Sequence, residues 1–309
     1  MLAISGGVGG AKLALGLSRV LPADELVIAV NTGDDFEHLG LTVCPDIDTV
    51  LYTLAGINDS ERGWGVAGET WACMEQLERV GGETWFRLGD RDLALHLQRT
   101  HQLQHGLSLS AVTENLARQL GVAAAVWPMS DDPVRTIVNT DAGALPFQQY
   151  FVREQCRPRV KGFEFVGADG AQPLPALLAL LRSDDLRAVI ICPSNPFVSV
   201  GPLLAMPVLR AALQATRAPV IAVSPIVGGQ ALKGPAAKMM AELALPVTAA
   251  AVAAHYGDLL DGFVMDEQDA AQTAALAGTP VCVTHTVMKT RADREQLARD
   301  TLAFAEALQ

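Results

Sequence analysis

The chain of 309 residues is 50% hydrophobic and 18% charged, and 23 Lys and Arg against 34 Asp and Glu leave a net charge of −11. That is ample apolar material for a large core, in one large domain or two modest ones, and the acidic balance without Lys/Arg clusters excludes a nucleic-acid groove. No apolar run approaches the ~20 residues that span a bilayer, and the first strand begins at Leu2 with no basic region before it, so no membrane contact and a cytoplasmic location are expected.

In chain order, a strand from Leu2 to Ser5 runs into "SGGVGGAK", a helical pattern covers Ala11 to Val20, and a second strand from Leu26 ends in Asn31-Thr32-Gly33-Asp34-Asp35. Gly6, Gly7, Gly9 and Gly10 free several backbone N–H groups to converge on an anion at a helix start. The loop fits neither familiar fingerprint. The third small residue of G-x-G-x-x-G falls on Lys12, and the Walker pattern fails because Lys12 is flanked by Ala11 and Leu13. Lys12 either neutralises a phosphate or lies on the helix surface, and the surface is expected one turn into a helix.

From about residue 45 to 120 the apolar spacing of three and four predicts helices at "DTVLYTLAG", "WACMEQLERV", "RDLALHLQRTHQL" and "LSAVTENLARQLG". Strands are predicted at "AAAVWPMS", "RTIVNT" and "YFVREQ", a helix at "LPALLALLRS", and a strand from Arg187 to Ser194. A helix from Pro202 to Ala215, a strand from Pro219, the helix "GPAAKMMAELA" and a helix-rich tail complete the chain. The expected fold is a single α/β domain with a doubly wound, mostly parallel, Rossmann-like sheet, interrupted over about residues 45–125 by a mainly helical insertion. Ligands in such sheets bind beyond the carboxyl ends of the strands. The strand ends at Ser5-Gly6-Gly7, Asn31 to Asp35, Cys192 to Pro196 and Ser224 to Gly229 are therefore expected to face one crevice.

Several side chains could carry chemistry there. In "CPDIDTVLYTLAG", Asp46 and Asp48 precede a helix and can approach one cation, as Mg²⁺ takes one or two carboxylates plus phosphate oxygens and waters; Asp48 can equally be a helix N-cap. Asp34 and Asp35 are two more carboxylates, paired or simply solvated. Arg87, in "WFRLGDRDLALHL", is either paired internally or held for an anionic or planar ligand. Gly228, Gly229, Lys233, Gly234, Pro235 and Lys238 form a second glycine-marked helix start suited to an anion. His101 and His105 read as surface residues. Cys44, Cys73, Cys156, Cys192 and Cys282, with no CxxC pair, read as free thiols, Cys44 as a buried one.

Together the segments "ISGGVGGAKLALGL", "VNTGDDFEHLGLTVCPDIDTVLYTLAG", "RGWGVAGETW", "WFRLGDRDLALHLQRT", "MSDDPVRTIV", "ICPSNPFVSVGPLL" and "VSPIVGGQALKGPAAKMM" resemble the 2-phospho-L-lactate transferase family of coenzyme F420 biosynthesis, in order over about the first 240 residues. The resemblance implies transfer of a phosphorylated three-carbon acid from its guanosine diphosphate ester to the ribityl hydroxyl of the deazaflavin Fo, with release of GMP and with Mg²⁺ as cofactor. It implies that Asp48, with its neighbour Asp46, binds the metal or the Fo ribityl chain, and that Arg87 is a second Fo contact. The glycine loop (Gly6, Gly7, Gly9, Gly10), Ser194, Asn195, and Gly228, Gly229, Lys233 and Lys238 would line the guanosine nucleotide crevice. Which of 2-phospholactate, phosphoenolpyruvate or 3-phosphoglycerate is carried depends on pocket shape rather than on a motif. A homodimer is the natural expectation from symmetry. The alternative is a nucleotide-sugar-binding regulator of the gluconeogenesis-factor group, set apart by the "PDIDTVLYTLAG" and "FRLGDRDL" segments, which belong to the transferase pattern.

Overall fold

The computed structural model describes residues 1–276 and 278–309. Its elements are β1 (Leu2–Ser5), α1 (Gly7–Val20), β2 (Val27–Val30), β3 (Phe36–His38), β4 (Leu41–Val43), α2 (Pro45–Ala55), α3 (Ala72–Arg79), α4 (Asp90–Gln104), α5 (Leu109–Gln119), β5 (Ala125–Pro128), β6 (Arg135–Thr140), β7 (Gly143–Pro146) and β8 (Val160–Val166). There follow α6 (Pro175–Leu181), β9 (Val189–Ile191), α7 (Gly201–Leu204), α8 (Pro207–Ala215), β10 (Val220–Val223), β11 (Ile226–Val227), β12 (Gln230–Ala231), α9 (Ala236–Glu242), α10 (Ala249–Tyr256), β13 (Gly262–Asp266), β14 (Val281–Thr284) and α11 (Arg291–Ala307).

Seven strands form one sheet in the order β14-β13-β10-β9-β1-β2-β5, every pairing parallel. From β1 the chain builds outward through β2 to β5, then restarts at β9 on the other side of β1. The reversal of direction between β1 and β9 leaves a crevice beyond their carboxyl ends, where an open parallel sheet holds its ligand. The two-residue alternation of each strand divides the core. Leu2 and Ile4 face a layer with α6, α8, α9 and α10, whereas Ala3, Ile28 and Val30 face α1, α2, α5 and α11.

Two expectations needed correction and two needed completion. "YFVREQ" is not a strand but a wide helical turn, Gln149–Arg153: Phe147 stacks on Phe151 four residues on, at 5.4 Å, and Phe147 and Tyr150 are buried, so its aromatics answer a helical spacing. Helix Pro202 to Ala215 is broken into α7 and α8, because Pro207 cannot donate to the preceding turn. The tail is not only helical: β13 and β14 extend the central sheet. A smaller antiparallel sheet, β7-β6-β8, stands apart from the central one, so "RTIVNT" does not extend the parallel set. Within residues 45–125, α2 and α5 pack directly on the central sheet through Ile47, Leu51, Val112 and Leu116, while the stretch from Ile57 to α4 forms the outer wall of the crevice.

Candidate active site

A cleft of about 620 Å³ opens at the β1/β9 switch, within the size range of small-molecule sites. Its back is the glycine loop. Gly6 is the N-cap of α1 and Gly7, at φ +64°, its first residue. A side chain at Gly6 would meet Ser199 and Asp46 Oδ2, the latter at 2.9 Å, and one at Gly9 would collide with the Pro193 carbonyl oxygen. Gly10 is buried and does not line the cleft; a Cβ there would sit 2.5 Å from both Ser5 Oγ and Ser194 Oγ. These glycines bring the start of α1 hard against the loop after β9. Ser194 Oγ fastens that approach, donating to Gly6 O at 2.8 Å and accepting from Gly6 N at 3.1 Å. Asn195 caps the turn that follows, its Oδ1 accepting from Phe197 N at 3.0 Å.

The loop's second N–H is already engaged by the protein's own carboxylate: Gly7 N donates to Asp46 Oδ1 at 2.7 Å. Asn31 Nδ2 donates to Asp46 Oδ2 at 2.9 Å and to Val198 O at 3.2 Å, so the end of β2 aims Asp46 at the loop. The N–H groups of Val8 and Gly9, in the first turn of α1, have no acceptor within the helix and lie in the cleft wall. Asp34 joins Asp46 in the lining. Asp34 is 5% exposed and its Oδ1 has no hydrogen-bond partner. Burial pushes Asp46 up to about 6, and pushes Asp34 well above the usual carboxylate range, with the Asp46 and Asp35 charges adding to it. Asp35, also buried, is pushed up to about 8 by desolvation. Among the described residues no group of three His, Cys, Asp or Glu forms a metal cage.

Opposing these acids, Lys12, Arg62, Arg87 and Lys233 line the same cleft. Lys12 is not a free surface residue. Its Nζ donates to Met288 O at 3.1 Å, and burial, helped by Arg294 and Lys233, lowers its pKa. Lys233 reaches to Gly63, its Nζ filling the space a Cβ there would take. Arg62 and Arg87 each stack on Trp71, at 5.1 Å and 4.5 Å from its centroid, and Arg62 also lies 5.3 Å from Trp64. The outer half of the cleft is aromatic: Trp64, Trp85, Phe86, Phe147 and Phe151 line it. Trp85 and Phe86 are held from behind by the β3–β4 hairpin, with Trp85 5.3 Å from His38 and Phe86 4.8 Å from Phe36.

Of the residues singled out in the sequence, Gly6, Gly7, Gly9, Asp46, Arg87, Ser194, Asn195 and Lys233 share this cleft. Gly228, Gly229 and Lys238 do not line it. The two glycines, at φ +56° and +76°, make the two-residue turn of the β11–β12 hairpin, and Gly228 N donates to Asp269. Lys238 pairs with Glu242 one turn on and donates to Pro158 O at 3.3 Å. Asp48 is also turned away: two residues beyond Asp46 on the same helix it points to α4, where Arg99 donates to both its oxygens. Asp46 and Asp48 therefore do not face one ion, because an i,i+2 spacing on a helix points the two carboxylates apart; the carboxylate that joins Asp46 in the cleft lining is Asp34. Asn31, Asp34 and the aromatic wall were the parts the sequence left unassigned; only the position of Asp34 and Asp35 after a strand-ending glycine hinted at them.

The family model described as 2-phospho-L-lactate transferase CofD matches residues 1–305. A phosphoenolpyruvate transferase of Kitasatospora aureofaciens is 42% identical over 315 residues, covering 99% of this chain and 98% of its own. A 2-phospho-L-lactate transferase of Methanosarcina mazei is 38% identical over 275 residues, 89% of each chain. A crystal structure of a UPF0052 family protein from Bacillus halodurans superposes with a TM-score of 0.65 over 98% of both chains at 15% identity, a likeness of fold alone. With a glycine loop, paired carboxylates and a cationic wall gathered at the sheet's switch point, the chain belongs to the 2-phospho-L-lactate transferase (CofD) family and is a transferase of coenzyme F420 biosynthesis.

Proposed function

We propose that the protein transfers a phosphorylated three-carbon acid from its guanosine diphosphate ester to the ribityl hydroxyl of Fo. The bond from the ribityl oxygen to the acid-bearing phosphorus forms as the bond from that phosphorus to GMP breaks, and the hydroxyl proton passes to solvent. GMP leaves as a stable phosphate monoester, so the protein need supply no proton to it. The work left for the residues is positioning and charge neutralisation.

One observation carries this reading: a helix N-terminus, buried carboxylates, four cations and a set of aromatic side chains line the same cleft. The diphosphate of the ester belongs at Val8 and Gly9 of the loop, with Lys12 and Lys233 beside it. The flat deazaflavin belongs between Trp64, Trp85 and Phe86, with Arg87 near its polar edge. Asp34 and Asp46 fit a divalent cation, since two carboxylates this deeply buried ionise together only when a cation joins them, and Asp34 Oδ1 has no protein partner. Both would hold Mg²⁺, which when bound neutralises phosphate charge. Phosphoenolpyruvate is the first acid to test, because the relatives that match over 99% of this chain carry that name. The chain is proposed to act as a homodimer in the cytoplasm; a monomer's mass by light scattering would remove the dimer.

The test is direct. Purified protein, Mg²⁺, Fo and the guanosine diphosphate ester of each acid in turn should yield GMP and a phosphodiester of the expected mass for one of them. Absence of GMP with all three acids would overturn the proposal.

A further inference from the structure

The cleft uses one face of α2, and the opposite face of the same helix carries a second polar set. Spacing brings it together: Asp48 and Tyr52 are one turn apart on α2, and Asp92, His96 and Arg99 follow at i, i+4 and i+7 on α4. All five are buried, Arg99 completely. Arg99 Nη1 donates to Asp48 Oδ2 at 3.1 Å and Nη2 donates to Oδ1. The same Nη1 is 3.2 Å from His96 Nδ1, which assigns Nδ1 as acceptor and the ring proton to Nε2, 3.2 Å from Asp92 Oδ1. Tyr52 Oη donates to that Asp92 oxygen at 2.5 Å. Nothing in the transfer chemistry uses these groups.

Their position relative to the cleft gives them a task. Asp46 stands on the cleft face of α2, two residues from Asp48, and Arg87 lies three residues before the first residue of α4. The separation of Asp46 from Arg87 is therefore set by the register of α4 against α2.

We propose that Arg99 is a positioning residue for the transfer: through Asp48 it locks α4 onto α2 and so fixes the distance between Asp46, on the donor side of the cleft, and Arg87, on the acceptor side. This rests on the transferase reading above. The test uses the full chain as Arg99→Met, Arg99→Lys and the double variant Asp48→Asn with Arg99→Met, each assayed below its own melting temperature. Steady-state kinetics are joined by hydrogen exchange at the Gly7 amide, which donates to Asp46.

In Arg99→Met, kcat should fall about tenfold to a hundredfold, as misplaced reacting groups do, with the KM for the guanosine ester held within about twofold, and Gly7 should exchange faster. The double variant should regain much of the lost kcat, because a buried ion pair can be replaced whole but not halved. Unchanged kcat and unchanged Gly7 exchange in folded Arg99→Met overturn the proposal, as does a double variant no better than the single one. If Arg99→Met does not fold, Arg99→Lys and the double variant carry the same comparison. A parent protein that releases no GMP overturns the transferase reading instead, and the exchange measurement still decides the role of Arg99.

Discussion

Asp46 is the side chain on which the loop, the strand end and the cleft converge, since it accepts from Gly7 N and Asn31 Nδ2 and lines the cavity. Its pKa of about 6 has a measurable consequence. With Asp34 and Asp46 holding Mg²⁺ as proposed, protons and the ion would compete for the same two carboxylates, so the rate should fall as pH drops through about 6, and that acid limb should move to lower pH as Mg²⁺ is raised; a limb indifferent to Mg²⁺ would separate Asp46 from the metal. Asp34 makes a complementary prediction about stability. Its pKa is raised in the folded protein, so above the ordinary value of 3.8 the unfolded chain gives up its proton first and stability falls as pH rises. Asp34→Asn should therefore melt a few °C above the parent at pH 7.5 without Mg²⁺, lose that advantage below about pH 4, and be nearly inactive. Melting curves at the two pH values check it.

At the scale of elements, the glycines divide by task. Gly9 allows α1 to touch the loop after β9, and Gly16 allows α11 to cross α1, where a Cβ would collide with the Arg294 carbonyl oxygen. Both contacts are to backbone, which yields little. Gly9→Ala and Gly16→Ala should each cost about 1–3 kcal/mol in urea unfolding, but only Gly9→Ala should also raise KM for the guanosine ester, because Gly16 is remote from the cleft. The helices α1, α2, α4 and α5 were legible from apolar spacing, and β1, β2, β9 and β10 from short β-branched runs between turn residues. The wide turn Gln149–Arg153 was not, because Tyr150, Phe151 and Val152 favour strands wherever packing does not decide otherwise. Nor were β13 and β14, whose five- and four-residue runs acquire strand character only from parallel pairing with neighbours that are not adjacent in sequence.

Across the whole molecule, the cleft joins two bodies of different composition: the carboxyl edge of the sheet, made of glycine, serine and aspartate, and an aromatic wall contributed by residues 57–89 and the segment around Phe147. Sequence reading reached the first, because glycine loops and strand ends announce themselves locally. It missed most of the second, because Trp64, Trp85 and Phe151 look like ordinary hydrophobic residues until the fold leaves them facing a cavity. It also misjudged Asp48, whose partner Arg99 is 51 residues away and carries no local signature. The division predicts separable effects: Trp85→Leu should raise the KM for Fo about tenfold while leaving the KM for the guanosine ester unchanged. Equal losses for both substrates would show that the two halves do not bind separately.

The bond from Ser194 to Gly6 spans 188 residues, and the one from Asn31 to Val198 spans 167. Contacts of such range are made late in folding, after the loop-closure entropy of the intervening chain has been overcome. The glycine loop is thus complete in sequence within the first dozen residues and complete in space only when β9 has taken its place beside β1. On the proposed function, a nascent chain on the ribosome would not capture the nucleotide ester until well over half of the protein has emerged. Ligand binding on the proposed function would accordingly report the docking of β9 beside β1, and a fluorescent guanosine nucleotide would serve as a clock for that step.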